Sequence, residues 1–173
     1  MTIIVEDGSG LPDANSYVSM DDAAAYCAAR GLTFATSPSA PGEAALIRAT
    51  AAIDAAYRGR FPGYKANGRD QALEWPRGQA YDFEGLLIAG DEVPQEIINA
   101  TCEAAVREFA TAGSMMPDLE RGGSVRRLKA GSVEIEYGAN ASAQTAFTII
   151  DGILSGLLSG GSGGGLFGVA VRG

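Results

Sequence analysis

Apolar residues recur at helical spacing in three stretches of the chain and alternate with polar ones in a fourth. Between about Glu43 and Tyr57, the residues Leu46, Thr50, Ile53 and Tyr57 make one stripe, with Arg48 and Asp54 off it. After Pro94, which suits a first helical turn because its missing N–H has no intrahelical partner there, Ile98, Cys102, Ala105 and Phe109 form an inward face. Nearer the start, Ile3 to Val5 reads as a short strand. A Gly- and Pro-rich loop then leads to an alanine-rich helix with Ser19 as N-cap, Asp21 and Asp22 in its first turn and Gly31 at its end. In residues 125–137, Val133, Ile135 and Tyr137 alternate with Glu134 and Glu136, the strand period. A turn at Ala130 and Gly131 would set Arg127 opposite Glu134 and Leu128 opposite Val133. Toward the C-terminus, Phe147, Ile150, Leu154 and Leu157 mark a short amphipathic helix, followed by glycine-rich residues Gly160 to Gly165 and the apolar tip "LFGVAVRG".

These elements predict a mainly α fold: a small helical bundle with an inserted long loop, a β-hairpin at about 125–137 and an extended C-terminal arm. The inserted loop, residues 59–93, is rich in Gly, Pro and charge, and a loop of that length is usually functional or packed on something. A helical core with its hairpin is expected over residues 1–137, and a C-terminal helix with a docking arm over 138–173. Ordering the glycine-rich tether costs entropy that an external binding site would have to offset, so an apolar tip beyond it suggests docking into a partner. Gly152, Gly156 and Gly160 lie four apart, a spacing that permits close helix contact, but a frayed helix end is the simpler reading.

Composition narrows the chemistry. The 173 residues are 46% hydrophobic, enough for one domain with its own core. Histidine is absent, which removes the commonest general base and the commonest metal ligand together. Cys27 and Cys102 lie far apart in apolar helical contexts, so buried free thiols in a reducing, cytoplasmic setting are expected rather than a disulfide. Neither cysteine has a histidine to serve as its base. No CxxC pair, calcium loop or Lys-Ser/Thr after the "GGSGGG" run is found, so no metal and no phosphate-loop cofactor is expected. The 21 acids sit in no motif that fixes a catalytic pair, so the chain does not read as an enzyme. The most apolar segment, Ala146 to Leu158, is too short to span a bilayer and contains Asp151.

The stretch "QALEWPR", residues 71–77, carries the one tryptophan and admits two readings. Residues 48–77 hold six bases against three acids, and Tyr57, Phe61, Tyr64 and Trp75 lie among them, as a single-strand groove would require. On that reading Tyr64, Arg69, Trp75 and Arg77 are the contact set. Against it, the formal charge is −8, and residues 81–120 hold nine acids and one base. The preferred reading makes Tyr57, Phe61, Tyr64, Trp75 and Arg77 structural anchors or subunit-interface residues.

Four blocks in order, "VEDGSGLPDANSYVS", "LIRATAAIDAAYRGRFPG", "QALEWPR" and "VPQEIINATCEAA", resemble tailed-phage and prophage proteins labelled DnaT-like single-stranded-DNA-binding proteins. The set also resembles the head-to-tail connectors, or adaptors, of long-tailed phages. The similarity covers residues 3 to 110, and the closing "GLFGVAVRG" resembles the family's tail. It implies a virion protein of the neck, assembled in the host cytoplasm as a homo-oligomeric ring of about twelve copies between the portal protein and a tail-side neck or stopper protein. The genome would pass through its lumen without specific binding. The portal-docking element would be Phe147 to Arg172, with Phe147, Ile150, Leu154 and Leu157 on the helix and Leu166, Phe167, Val169, Val171 and Arg172 at the tip. The alternative implied by the label is a single-stranded-DNA-binding accessory protein of phage replication.

Overall fold

A computed structural model describes residues 2–117, 127–130, 133–136 and 147–158. The fold is mainly α: the described residues form four helices, with three short two-stranded antiparallel sheets between and after them. Helix α1 is Met20–Ala29, and Ser19 caps it as its sequence position suggests: the Asp22 N–H donates to Ser19 Oγ at 3.1 Å, and the Ser19 hydroxyl donates back to Asp22 Oδ2 at 2.6 Å. The helix ends where Gly31 turns left-handed and the Leu32 N–H reaches back to the Cys27 carbonyl.

Helix α2 is Ser39–Tyr57, one turn longer at its start than the apolar stripe indicated. Its buried face holds Leu46, Thr50, Ile53 and Tyr57, with Ala45, Ala49 and Ala52 between them. Those small residues allow close approach to Ala100, Ala104 and Ala105 of helix α3, Gln95–Ala110. Asp54, expected to lie off the stripe, is buried on this face. It stands four residues after Thr50, the spacing that puts two side chains on the same side of a helix. The inward face of α3 is centred on Ile97, Thr101, Ala104 and Glu108. Cys102 and Ala105 are buried as expected, but Ile98 and Phe109 lie at the edge and are half-buried.

The N-terminal segment expected as a strand makes only one isolated bridge, Val5 to Ser16. The Ile4 N–H is taken by the Asn15 side chain, and then the Glu6 carboxylate gathers the N–H groups of Gly8, Gly10 and Leu11 at 2.8–3.0 Å, curling the chain. Within the long insertion, β1 (Tyr64–Lys65) pairs with β2 (Arg77–Gly78), and β3 (Ala80–Tyr81) pairs with β4 (Leu87–Ile88). Gly63 permits this crossing: its φ is +66°, and any Cβ would strike the Gly78 carbonyl.

The third sheet pairs β5 (Arg127–Ala130) with β6 (Val133–Glu136), the hairpin expected from the alternating run. Its register differs by two residues: Arg127 faces Glu136 and Leu128 faces Ile135. Ala130 pairs with Val133 and does not turn, so the pairing closes one residue later than expected and every partner moves by two. Because the shift is a whole strand period, charge still opposes charge and apolar still opposes apolar.

Helix α4, Thr148–Leu154, lies on α3, with Ile150, Leu154, Leu157 and Leu158 buried in the common core. The Tyr57 hydroxyl donates to Asp151 Oδ1 at 2.6 Å and ties α4 to α2. This corrects the expectation that Ile150, Leu154 and Leu157 face a portal: the helix completes its own body, because its stripe covers the face of α3 that α2 leaves open.

Candidate functional site

Two loops of the insertion treat their apolar side chains in opposite ways. In the first, Trp75 is 0% exposed. Its ring meets Phe61 edge-on, with centroids 5.8 Å apart. The indole N–H finds no acceptor among the described residues, so packing alone holds the ring. The backbone on either side is hydrogen-bonded from below. The Tyr17 hydroxyl accepts from the N–H groups of Glu74 and Trp75, both at 3.1 Å, and donates to Asp54 Oδ1 at 2.7 Å. Asp54 Oδ2 accepts from the Glu74 N–H at 3.1 Å. From above, the Arg77 guanidinium donates to the carbonyls of Pro62, Gly63 and Glu74 and to the Glu74 carboxylate, closing the loop over Phe61. Gln71 braces the interior: its amide donates to the carbonyls of Leu73 and Pro76.

The electrostatics follow from this burial. Removal from water raises Asp54 to about 6, only partly offset by its bonds from Tyr17 and the Glu74 N–H and by Lys65; the Glu74 charge adds to the rise. The same burial, with the Asp54 charge beside it, pushes the Tyr17 hydroxyl well above its ordinary value. At the far end of the body, burial raises Glu108, but the N–H groups of Met115 and Gly113 and the Arg48 guanidinium outweigh it and hold the carboxyl below its usual range. These groups fix loops to helices.

A shallow cavity of about 400 Å³ lies between α1 and the start of α3, lined by Tyr17, Val18, Asp22, Tyr26, Ile98 and Cys102 among others. Burial lifts the Cys102 thiol to about 12, which keeps it a poor nucleophile at neutral pH. Both cysteines are buried and free. Among the described residues no cluster of His, Cys, Asp and Glu could hold a metal ion, and no helix is long and apolar enough to cross a membrane.

The second loop is a tongue, β3–β4, which turns its apolar residues outward. Phe83 is 78% exposed, Leu87 63%, Leu86 62% and Tyr81 51%. The tip is nonetheless ordered: Asp82 Oδ1 accepts from the N–H groups of Glu84 and Leu86, and Gly85 supplies the φ of +82° that the turn needs. At its base Ala80 is fully buried, and the Phe83 N–H donates to the Gly156 carbonyl at 2.9 Å beyond the end of α4. Nothing in the sequence reading singled out this tongue. The signal was present in "DFEGLLI", an Asp-to-Gly turn between apolar residues.

Of the residues chosen from sequence, Tyr57, Phe61, Trp75 and Arg77 come together in the buried clasp. Tyr64 stands outside it, 56% exposed on β1, and Arg69 is exposed on the following turn. A base therefore has access to Tyr64 and Arg69 but not to Trp75 or Arg77. Phe147 is half-buried beneath Arg107, 5.4 Å from ring centre to guanidinium. Leu166, Phe167, Val169, Val171 and Arg172 lie outside the described residues, as does the glycine-rich run before them. The clasp's partners Tyr17 and Asp54 were missed, because a buried carboxylate on a helix looks like a surface one until its tyrosine is found 37 residues away.

A family model described as "Putative DnaT-like ssDNA binding protein" matches residues 1–173. The chain belongs to that family. No curated protein and no solved structure matches it.

Proposed function

We propose that this family member is a non-enzymatic structural protein of a long-tailed phage, a subunit of a homo-oligomeric ring joining the portal to the tail-side neck. The observation that carries this reading is the ordered apolar tongue, whose Phe83, Leu86 and Leu87 stand in water on a turn held by its own hydrogen bonds. Contiguous exposed apolar surface of this kind marks a contact with another protein. The acidic balance suits a lumen through which DNA slides without being gripped. The apolar tip Leu166 to Val171, outside the described residues, is the element assigned to portal docking in this reading.

Purified chain and portal, mixed and imaged by negative stain, test the reading: stacked rings are expected. Deleting Gly160 to Gly173 should abolish capture by the portal while the helical body stays folded. Undiminished capture by that truncation would rule out the arm as the docking element.

A second reading, single-stranded-DNA binding, is favoured by the family's description. Its contact set would be Tyr64 and Arg69 with the exposed Arg58 and Arg60, since Trp75 and Arg77 are enclosed. Fluorescence anisotropy with a labelled oligonucleotide decides it. A true groove gives affinity that falls steeply with salt, and no binding at low salt ends it.

A further inference from the structure

A closed ring needs each copy to offer one surface to the neighbour ahead and a different one to the neighbour behind. We propose that the β3–β4 tongue is the first of these surfaces and that it seats on the cationic segment Arg58 to Arg69 of a second copy of this chain. The inference rests on the ring reading above and names the contact within it.

Charge complementarity selects the occupant. Residues 58–69 contain four bases, Arg58, Arg60, Lys65 and Arg69, and no acid; residues 80–92 contain four acids, Asp82, Glu84, Asp91 and Glu92, and no base. Arg58, Arg60 and Arg69 are exposed and make no ion pair among the described residues, and Glu84, Asp91 and Glu92 are exposed beside the tongue. A tongue-to-tongue contact would bring acids against acids in a chain of formal charge −8, so the arrangement favours unlike surfaces. A polyanion is disfavoured at the tongue for the same reason.

The two surfaces adjoin at their bases, where β1 pairs with β2 and Gly63 abuts Gly78 to Ala80, but each has its own further fastening. The Asn67 side chain fastens the cationic segment to the N-terminal loop, donating to the Ser9 and Gly10 carbonyls at 2.7 and 3.3 Å. The tongue is instead fastened to the end of α4 through Gly156. Tyr64, exposed within the cationic segment, offers an aromatic face to Phe83. Four side chains at these exposures present on the order of 400–500 Å² of surface, about half of what one partner buries in a stable interface.

The test uses the full-length chain. Phe83→Asp with Leu86→Asp should keep the wild-type circular dichroism and melting midpoint, and should weaken self-association by at least tenfold in mass photometry, alone and with portal. Glu84→Arg and Arg69→Glu should each weaken it, and the two combined should recover most of the loss. A photo-crosslinking amino acid in place of Phe83 should attach to the peptide 58–69 of another copy. If wild type assembles and the tongue variant assembles equally well, or the crosslink maps elsewhere, the tongue contact is wrong while the ring stands. If wild type stays monomeric even with portal, the ring reading falls and this contact with it.

Discussion

The clasp around Trp75 and the tongue around Phe83 are neighbours in sequence, and both belong to a loop rich in Gly, Pro and charge, yet one hides its aromatic and the other displays it. The difference lies in where the backbone finds its hydrogen bonds. Around Trp75 the loop's N–H groups reach Tyr17 and Asp54 of the helical body, so the loop is drawn inward and its ring fills the core. At Phe83 the turn satisfies the N–H groups of Glu84 and Leu86 through Asp82, and the bond from the Phe83 N–H to the Gly156 carbonyl holds its backbone against the end of α4 while the apolar side chains stay outside. Polar anchoring decides which apolar groups are core and which are surface.

That contrast predicts a ladder of effects on stability. Trp75→Ala empties a fully enclosed site and should cost about 3–5 kcal/mol in urea unfolding, enough to leave a marginal domain partly unfolded. A cost below about 1 kcal/mol would mean that the clasp is not part of the core. Next, the shift of Asp54 from 3.8 to about 6 corresponds to roughly 3 kcal/mol. The folded state binds this proton more tightly than the unfolded chain does. This contribution is therefore fully present below pH 4 and is lost as pH rises through about 6. Urea midpoints from pH 4 to 7 should show that fall superposed on the other carboxyls, and Asp54→Asn should flatten it. Glu108 acts in the opposite sense: with its pKa lowered, it stabilises at neutral pH and loses that contribution in acid.

Tyr17→Phe removes the one group that serves both Asp54 and the loop N–H groups, and should cost about 1–3 kcal/mol, read as a shift in urea midpoint. Phe83→Ser should change stability by no more than about 0.5 kcal/mol, because its side chain is in solvent in the free subunit. A large loss there would show that the tongue packs on its own body and would remove the contrast.

The sequence made the helices legible because their signals are local. Ser19, Pro94 and Gly31 mark ends by their own backbone chemistry, and the stripe through Leu46, Ile53 and Tyr57 needs only the helical period. The hairpin's faces were equally readable, but its register depended on which residues turn, and the error of two preserved both faces. What stayed hidden was settled at a distance. Asp54 is buried because of a tyrosine far upstream, and Ile150, Leu154 and Leu157 complete a core begun more than ninety residues earlier. An amphipathic stripe states that a face must be covered and does not state by whom. For α4 the cover is the same chain, so the stripe that suggested a docking arm marks instead a piece of the body.

The hydroxyl of Tyr57 meets Asp151 across 94 residues. Closure of the body therefore waits until the chain has been made past Asp151. A nascent or prematurely terminated chain that stops before Thr148 leaves an open apolar face on α3, and such long-range closure is slow compared with local helix formation.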